Sequence, residues 1–236
     1  MSLENKIAYI TGGTKGIGYG IAEMLLATGM KVAISGRTFA TVEAAAAKLG
    51  NSSNVLAIGS DVSIYADEEA AIKQIIEKWG QLDVVIANAG VRHFVPVDEL
   101  KVDEWKHMID TNLNGVFHTL KASVTDLKKT KGYYMTIASL AGANFFAKGS
   151  GYNATKFGVV GFTQAAMIDL RKYDIKVTTI MPGSVASHFN GQEPTDKDNW
   201  KIQPGDIGEL VVGLLNMNPR TLPSKIEVRP TRPDLK

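Results

Sequence analysis

The sequence predicts an α/β fold, a doubly wound parallel sheet in a three-layer α/β/α arrangement, formed by a single domain over residues 1–236. Short β-branched runs alternate with longer segments of helical periodicity, which is the pattern of right-handed βαβ crossovers. The run LDVVIANAG at 82–90 is apolar almost throughout, as expected of a strand covered on both faces. The 236 residues contain no repeat, low-complexity tract or evident linker, which favours one domain.

The first third of the chain supplies two strands and two helices. KIAYIT at 6–11 and KVAISG at 31–36 read as strands, because both are rich in β-branched and apolar residues. Apolar periodicity between them predicts a helix from about Ile17 to Thr28, which Gly29 ends. TVEAAAAKLG predicts a second helix that ends at Gly50, because Ala is the best helix former and Gly is common just beyond a helix.

The alternation continues to the end of the chain. NVLAIGSDV at 54–62 predicts a third strand, and Ser63 is expected to cap the next helix. That helix carries one apolar face before Gly80, formed by Ala71, Ile72, Ile75, Ile76 and Trp79. The later elements are the strand 82–90, a long helix at 101–130, the strand 133–139, a helix at 151–172, the strand 176–183, a short helix near 206–217 and the strand 225–230. The polar, turn-rich stretch 184–205 lacks strong periodicity and is predicted to be a mobile loop.

Composition narrows the classes of function. A formal net charge of +2 and the lack of a dense Lys/Arg run argue against nucleic acid or an acidic membrane surface as a partner. Cys is absent, which excludes disulfides, thiol catalysis and cysteine metal sites, and no metal site is predicted. No apolar run reaches the ~18 residues of a membrane span. Strand-like residues begin too early for a signal peptide, so we expect a cytoplasmic protein.

A glycine-rich turn, TGGTKGIG, joins the first strand to the first helix. Such a turn lets the backbone approach a pyrophosphate, while the helix N-terminus supplies N–H donors. The strict G-x-G-x-x-G pattern does not fit, because Ile21 stands where its last glycine would be. A turn with a purely structural role is the alternative, but the position between strand and helix favours a nucleotide site.

Tyr152 and Lys156 lie one helical turn apart in SGYNATKFG at 150–158. This spacing is commonplace on helix surfaces and alone does not indicate catalysis. A cation ~4 Å from the phenol would contribute on the order of 4 kcal/mol at an effective dielectric near 20, or about three pKa units. Lys156 is therefore physically sufficient to bring the pKa of Tyr152 toward neutrality. A phenol tuned in this way can protonate the alkoxide that forms when a ketone accepts a hydride.

The motif T-G-x-x-x-G-x-G at 11–18 resembles the short-chain dehydrogenase/reductase family, whose members are single-domain NAD(P)-dependent oxidoreductases with a Rossmann-type fold. Further motifs follow in the family's order over about residues 6–217: NAG at 88–90, Asn112 in TNLNGVF, Ser139 after YYMTIA, Tyr152-x-x-x-Lys156 and Pro182-Gly183. Each motif alone is weak, but their joint occurrence is specific. The resemblance implies that Tyr152 and Lys156 are catalytic.

The resemblance also implies a role for each site residue. Tyr152 would be the general acid/base, Ser139 would hydrogen-bond the substrate oxygen, Lys156 would also bind the nicotinamide ribose, and Asn112 would hold a water in a proton relay to Lys156. Taken singly, Ser139 could be an ordinary strand-end serine and Asn112 a helix-surface amide. Cofactor contacts are implied for Gly12, Thr14, Lys15, Gly16, Ile17, Gly18, Arg37, Asp61, Val62, Asn88, Ala89, Gly90, Tyr152, Lys156, Pro182, Gly183, Val185 and Ser187. Asp61 could instead cap the following helix.

The cofactor is expected to be NADP(H). Users of NAD place a carboxylate at the end of the second strand, and here Gly36 occupies that position. Arg37 follows it, and Lys15 lies in the glycine turn, so two cations can converge on a 2′-phosphate. The alternative is that both are solvated surface charges.

The expected activity is NADPH-dependent reduction of a ketone, of the carbonyl or 3-oxoacyl reductase type, and its reverse. A non-catalytic NADP(H)-binding redox sensor or scaffold is the alternative, which the presence of all four catalytic residues disfavours.

His93 and His188 are at most substrate contacts, and four aromatic residues could form either an apolar pocket or core: Phe145, Phe146, Phe189 and Trp200. The ending KIEVRPTRPDLK lacks the glycine pair common in the family. The common homotetramer is therefore in doubt, and a homodimer through the helices 101–130 and 151–172 is the alternative.

Overall fold

Seven parallel strands form the sheet of this computed structural model, which describes residues 2–50, 53–187 and 193–232. They are β1 (Ile7–Thr11), β2 (Lys31–Gly36), β3 (Val55–Gly59), β4 (Val84–Ala87), β5 (Tyr133–Ile137), β6 (Lys176–Pro182) and β7 (Lys225–Val228). Their order across the sheet is β3-β2-β1-β4-β5-β6-β7. All six neighbouring pairs are parallel, so the predicted doubly wound sheet is confirmed.

Helices cover both faces of this sheet. They are α1 (Gly16–Ala27), α2 (Phe39–Leu49), α3 (Tyr65–Trp79), α4 (Val102–Ile109), α5 (Gly115–Thr130), α6 (Ser150–Leu170) and α7 (Pro204–Asn216). Buried side chains of α1, α2 and α7 share one hydrophobic core, and those of α3, α5 and α6 share the other. Within β1, Ala8 and Ile10 face the first core while Ile7 and Tyr9 face the second, as the two-residue period of a strand requires.

Residues 2–50, 53–187 and 193–232 contain neither a membrane-spanning helix nor a group of metal ligands. Among these residues, no helix has the length and apolar character needed to cross a membrane. Within the same ranges, no three His, Asp or Glu side chains are grouped as metal ligands would be.

The helix predicted over 101–130 is interrupted. A π-helical segment at Asp110–Asn114 separates α4 from α5. Asn112 lies in this segment and is fully buried, with its side chain bonded to the backbone of Val91. A π segment changes the direction of the side chains it carries, and such segments are frequent at functional sites. The prediction of one continuous helix was wrong. The π segment accompanies the hydrogen bonds between Asn112 and Val91, which are 21 residues apart, and a local sequence pattern does not show such a contact.

Ser63 does not cap α3, contrary to the sequence prediction. The helix begins at Tyr65, and its N-cap residue, Ile64, makes no side-chain capping bond. Ser63 instead donates from its backbone N (2.9 Å) and its Oγ (2.7 Å) to Oδ1 of Asp61. Asp61 therefore closes a local turn before the helix.

The segment predicted as a loop over 184–205 is partly ordered by short pairings. Val185 forms a parallel bridge with Ile202, and Ala186 N donates to the carbonyl of Ile202 over 2.8 Å. A 3₁₀ turn follows at Asp196–Asp198, and α7 begins at Pro204, before the predicted start at 206. Residues 188–192, which include His188 and Phe189, lie outside the described residues. A lid role for this segment stays a prediction.

Glu68 is a carboxyl group at the centre of the second core. Its side chain is fully buried, and Oε1 accepts hydrogen bonds from Tyr9 Oη (2.8 Å) and Ser60 Oγ (2.6 Å). Burial raises the pKa of Glu68, and hydrogen bonds from Ser60, Thr119 and Tyr9 together with the charge of His118 only partly offset this rise. The folded protein therefore holds the Glu68 proton more tightly than the unfolded chain does.

We predict that Glu68→Gln changes how stability depends on pH. The folded-state pKa of Glu68 is raised, so its contribution to stability is complete below the unfolded pKa of ~4.3 and is lost as pH rises through the folded pKa. In that window the wild type should lose up to about 1.4 kcal/mol per pH unit relative to the variant, the slope for one proton. Urea unfolding across the acidic to neutral range measures this. Glu69→Gln, at the exposed neighbouring position, should follow the wild type; parallel curves for wild type and Glu68→Gln would contradict the prediction.

Candidate active site

A cleft of about 1030 Å³ opens at the carboxyl ends of the central strands. The strand order reverses between β1 and β4, which is where ligands bind in open α/β sheets. Eighteen of the twenty predicted site residues line it: Gly12, Thr14, Lys15, Gly16, Ile17, Arg37, Asp61, Val62, Asn88, Ala89, Gly90, Ser139, Tyr152, Lys156, Pro182, Gly183, Val185 and Ser187. The other two, Gly18 and Asn112, lie behind the cleft wall.

The glycine turn presents backbone donors to one end of the cleft. Gly12 and Gly16 have φ values of +65° and +59°, a region that side chains rarely tolerate. Lys15, the N-cap residue of α1, makes no side-chain capping bond, and the first turn of α1 carries no acidic residue. Within the described part of the chain, the N-terminal amides of α1 therefore have no side-chain cap, and they lie at the cleft, which fits the pyrophosphate of a dinucleotide.

Asn88 fixes the glycine turn to the end of β4. Its Nδ2 donates to the carbonyls of Thr11 (2.9 Å) and Gly12 (3.0 Å), while Thr11 Oγ1 accepts from the backbone N of Asn88 (3.0 Å) and of Ala89 (3.1 Å). A Cβ on Gly18 would lie 2.5 Å from Asn88 Nδ2 and 2.6 Å from the Gly12 carbonyl. Gly18 is thus needed for this close packing of turn and strand.

Tyr152 and Lys156 of α6 lie together in the wall of the cleft and are 8% and 5% exposed. Lys156 Nζ donates to the carbonyl of Ile137 over 2.9 Å and lies 5.7 Å from the centre of the Tyr152 ring. Burial lowers the pKa of Lys156 to about 8. Burial also raises the pKa of Tyr152 to about 12, and a hydrogen bond with Ser139 and the charge of Arg92 act in the opposite direction.

The expected lowering of the Tyr152 pKa toward neutrality is therefore wrong, because the pKa is raised. Desolvation of the phenol outweighs the nearby charges, and the ammonium is directed at the Ile137 carbonyl. A raised pKa keeps Tyr152 protonated at neutral pH. The group can then donate a proton, but it needs further positive charge nearby before it can accept one.

Asn112 does not line the cleft but is hydrogen-bonded to the two segments that carry this part of its wall. Its Oδ1 accepts from Val91 N (2.7 Å), and its Nδ2 donates to Val91 O (2.8 Å) and Thr155 Oγ1 (3.1 Å). A Cβ on Gly90 would lie 3.4 Å from Asn112 Oδ1 and 3.8 Å from Lys156 Nζ. The buried amide therefore joins the segment after β4 to α6 beside the lysine, and Asn112 is not a helix-surface residue.

Arg92 and Phe94 belong to the cleft wall but were not singled out from the sequence. The Arg92 guanidinium lies 4.9 Å from the Phe94 ring centre, which is 5.4 Å from that of Tyr152 in an edge-to-face arrangement. Both residues directly follow the NAG motif at the carboxyl end of β4, and that position was the available signal.

The structure also locates three aromatic residues and one histidine whose roles the sequence did not decide. Phe146 and Trp200 line the cleft, whereas Phe145 is 87% exposed, so none of these three belongs to the core. His93 is not among the lining residues and places Nδ1 3.6 Å from Glu104 Oε1.

Glycine turn, tyrosine, lysine and serine in one cleft define an oxidoreductase that uses a nicotinamide cofactor and acts on CH–OH or C=O groups. The short chain dehydrogenase family model matches residues 6–198. The chain belongs to the short-chain dehydrogenase/reductase family.

Relatives and solved structures agree with this assignment. An uncharacterized oxidoreductase of Staphylococcus aureus strain MRSA252 is 35% identical over 97% of this chain and 98% of the relative. An alcohol dehydrogenase from the archaeon Thermococcus sibiricus, complexed with 5-hydroxy-NADP, has a TM-score of 0.91 and 32% identity over 98% of this chain and 100% of that chain. A 3-ketoacyl-(acyl-carrier-protein) reductase from Brucella melitensis, complexed with NADH, has a TM-score of 0.90 and 26% identity over 98% and 99% of the two chains.

Proposed function

We propose that this protein is an NADPH-dependent carbonyl reductase that transfers a hydride between NADP(H) and a ketone or alcohol. The observation that carries the proposal is the placement of Ser139, Tyr152 and Lys156 in the same cleft as the glycine turn. A redox sensor or scaffold that only binds NADP(H) would have no need of a buried ammonium beside a buried phenol, which is costly to maintain. The catalytic reading therefore explains more of the site.

The mechanism follows from the protonation states of the chain's own groups. When bound, the nicotinamide supplies or accepts the hydride. Ser139 Oγ orients the carbonyl oxygen, and the Tyr152 hydroxyl donates its proton to that oxygen as negative charge develops. Lys156 would bind the ribose hydroxyls of the cofactor and contribute positive charge, and Asn112 holds the wall on which Lys156 lies. A proton relay through a water at Asn112 would use its backbone or its remaining acceptor capacity, since its side chain is bonded to Val91 and Thr155.

The cofactor would lie along the cleft from the glycine turn to Tyr152. Gly12, Thr14, Gly16 and Ile17 would contact the pyrophosphate, Asp61 and Val62 the adenine, and Val185 and Ser187 the carboxamide end. Asn88, Ala89, Gly90, Pro182 and Gly183 would form the backbone floor between these ends, with Gly18 supporting the turn. The two structural relatives hold an NADP analogue and NADH, respectively, so the preference for NADPH rests on Lys15 and Arg37 of this chain.

The proposal includes the setting of the enzyme. The partner would be a small carbonyl or alcohol substrate in the cytoplasm, with neither nucleic acid nor membrane involved. The protein would be a homodimer or homotetramer with an interface through α5 and α6, where Phe117 and Phe157 are 48% and 44% exposed. Light scattering measures this state directly.

We predict that Tyr152→Phe lowers kcat for ketone reduction by at least ~100-fold, the lower range for general acid catalysis. NADPH affinity should change little, because only the hydroxyl is lost. Steady-state rates and NADPH fluorescence titration measure the two quantities. Tyr173→Phe, a change outside the cleft, is the matched control and should retain normal turnover. Near-normal turnover of Tyr152→Phe would show that another group is the acid.

We predict that the enzyme prefers NADPH over NADH by about 100-fold or more in kcat/KM, because each charged hydrogen bond contributes ~1.5–3 kcal/mol and Lys15 and Arg37 supply two. Arg37→Ala should remove most of this preference while NADH activity changes little. Arg171→Ala, which removes an exposed arginine outside the cleft, should keep the preference. Equal efficiency of the wild type with both cofactors would refute NADP specificity without refuting the reductase.

A further inference from the structure

Among the described residues, the wall of the cleft carries several basic side chains and a single acidic one. Arg92, Lys201 and Arg229 line the cleft, and Asp61 is the one carboxylate among the described lining residues. Asp61 follows β3 at the far edge of the sheet, and its Oδ1 accepts two hydrogen bonds from Ser63. Nothing acidic among the described residues therefore lines the wall around Tyr152. A wall without acidic side chains beside the reacting phenol can accommodate an anionic group of the substrate.

Of these three basic residues, Arg92 is connected to Tyr152 through a shared aromatic contact. It packs on Phe94, and Phe94 packs edge-to-face on Tyr152, with a centroid separation of 5.4 Å. The charge of Arg92 also lowers the pKa of Tyr152, so its field reaches the phenol oxygen. A carbonyl bound at that oxygen would place the rest of a small molecule within reach of the guanidinium.

Lys201 and Arg229 are locally compensated. Lys201 forms an ion pair with Asp198, and Arg229 places its guanidinium 2.8 Å from Glu227 Oε2. The acidic partners, Asp198 and Glu227, are near neighbours in sequence and do not line the cleft. Arg229 serves as a control for the loss of another basic side chain from the cleft wall.

An apolar surface accompanies Arg92. Phe94 and Phe146 are 39% and 45% exposed, and their rings meet edge-to-face with a centroid separation of 5.3 Å. Both rings line the cleft. A short hydrocarbon segment between a ketone and an anionic group would cover these rings, which favours a small amphipathic substrate.

We propose that Arg92 binds a carboxylate of the substrate and that this enzyme reduces small oxo acids in preference to neutral ketones, esters or thioesters. The planar guanidinium matches a carboxylate in two parallel hydrogen bonds. Phe94 holds the guanidinium in place and receives the hydrocarbon segment. This assignment rests on the proposed reductase function and narrows it to a substrate class.

The test compares acid and ester forms of one ketone. We would measure kcat/KM with NADPH for 3-oxobutanoate and 4-oxopentanoate, each against its methyl ester, in wild type, Arg92→Gln, Arg92→Lys and Arg229→Gln. The wild type should prefer an acid over its ester by at least about tenfold, the lower bound for a hydrogen bond to a charged group. Arg92→Gln should lower this ratio by at least about tenfold, Arg92→Lys should retain part of it, and Arg229→Gln should change it by less than about twofold.

The ratio of kcat/KM for the acid to kcat/KM for its ester separates recognition of the carboxylate from other effects of Arg92. Loss of its charge at Tyr152, or of its packing on Phe94, lowers the rates for acid and ester together and leaves the ratio unchanged. A wild-type ratio near one, or an unchanged ratio in Arg92→Gln, would overturn the proposal while reductase activity on the esters remained.

A binding measurement without turnover distinguishes failure of the carboxylate site from failure of the proposed reductase function. Calorimetric titration of 4-oxopentanoate and its ester into the enzyme with NADP⁺, where no hydride is available, should show the same dependence on Arg92. If no compound is reduced but the acid still binds through Arg92, the proposed function fails and the carboxylate site stands. If acid and ester bind equally in wild type and Arg92→Gln, the carboxylate site fails.

Discussion

Lys156 Nζ donates to the carbonyl of Ile137 over 2.9 Å, and this side chain is 5% exposed. A buried ammonium is costly unless it is hydrogen-bonded, so α6 must lie where its lysine can reach the end of β5. Gly142 permits that approach, because a Cβ there would lie 2.7 Å from the Lys156 carbonyl. Tyr152, one turn earlier on α6, is thereby held beside Ser139 at the end of the same strand. The placement of the acid depends on the placement of the lysine.

The parallel sheet brings the two halves of the site to one edge. In β1 and β4 the carboxyl ends are neighbours, and Thr11 and Asn88 bond these ends directly. The glycine turn follows β1, and the segment that contacts Asn112 follows β4. The groups proposed to bind phosphate and to donate the proton therefore come from segments that are distant in sequence but meet at one edge of the sheet. Arg92, in the segment after β4, lines the same cleft.

Local signals were sufficient to predict much of this arrangement. Strand alternation, the glycine turn and the Tyr152–Lys156 spacing are periodic or short-range features, and family motifs supplied their order. Features that depend on long-range contact could not be predicted in this way. The π segment at Asp110–Asn114 accompanies the Asn112 contact with Val91, 21 residues away, and the raised pKa of Tyr152 results from burial. Arg92 was missed because only the fold shows that the loop after β4 turns its side chains to the cleft.

The pH dependence of kcat/KM for NADPH tests most directly whether a buried, charged Lys156 makes the site competent. This parameter reports groups of the free enzyme, in which burial lowers the pKa of Lys156 to about 8. A group with a lowered pKa loses its proton early as pH rises, so kcat/KM should be level up to about pH 7.5 and then fall about tenfold per unit above pH 8. Lys156→Arg, whose guanidinium stays charged, should lack that decline in whatever activity or NADPH binding it retains. A wild-type profile that stays level to about pH 10 would contradict the central role given to the Lys156 charge.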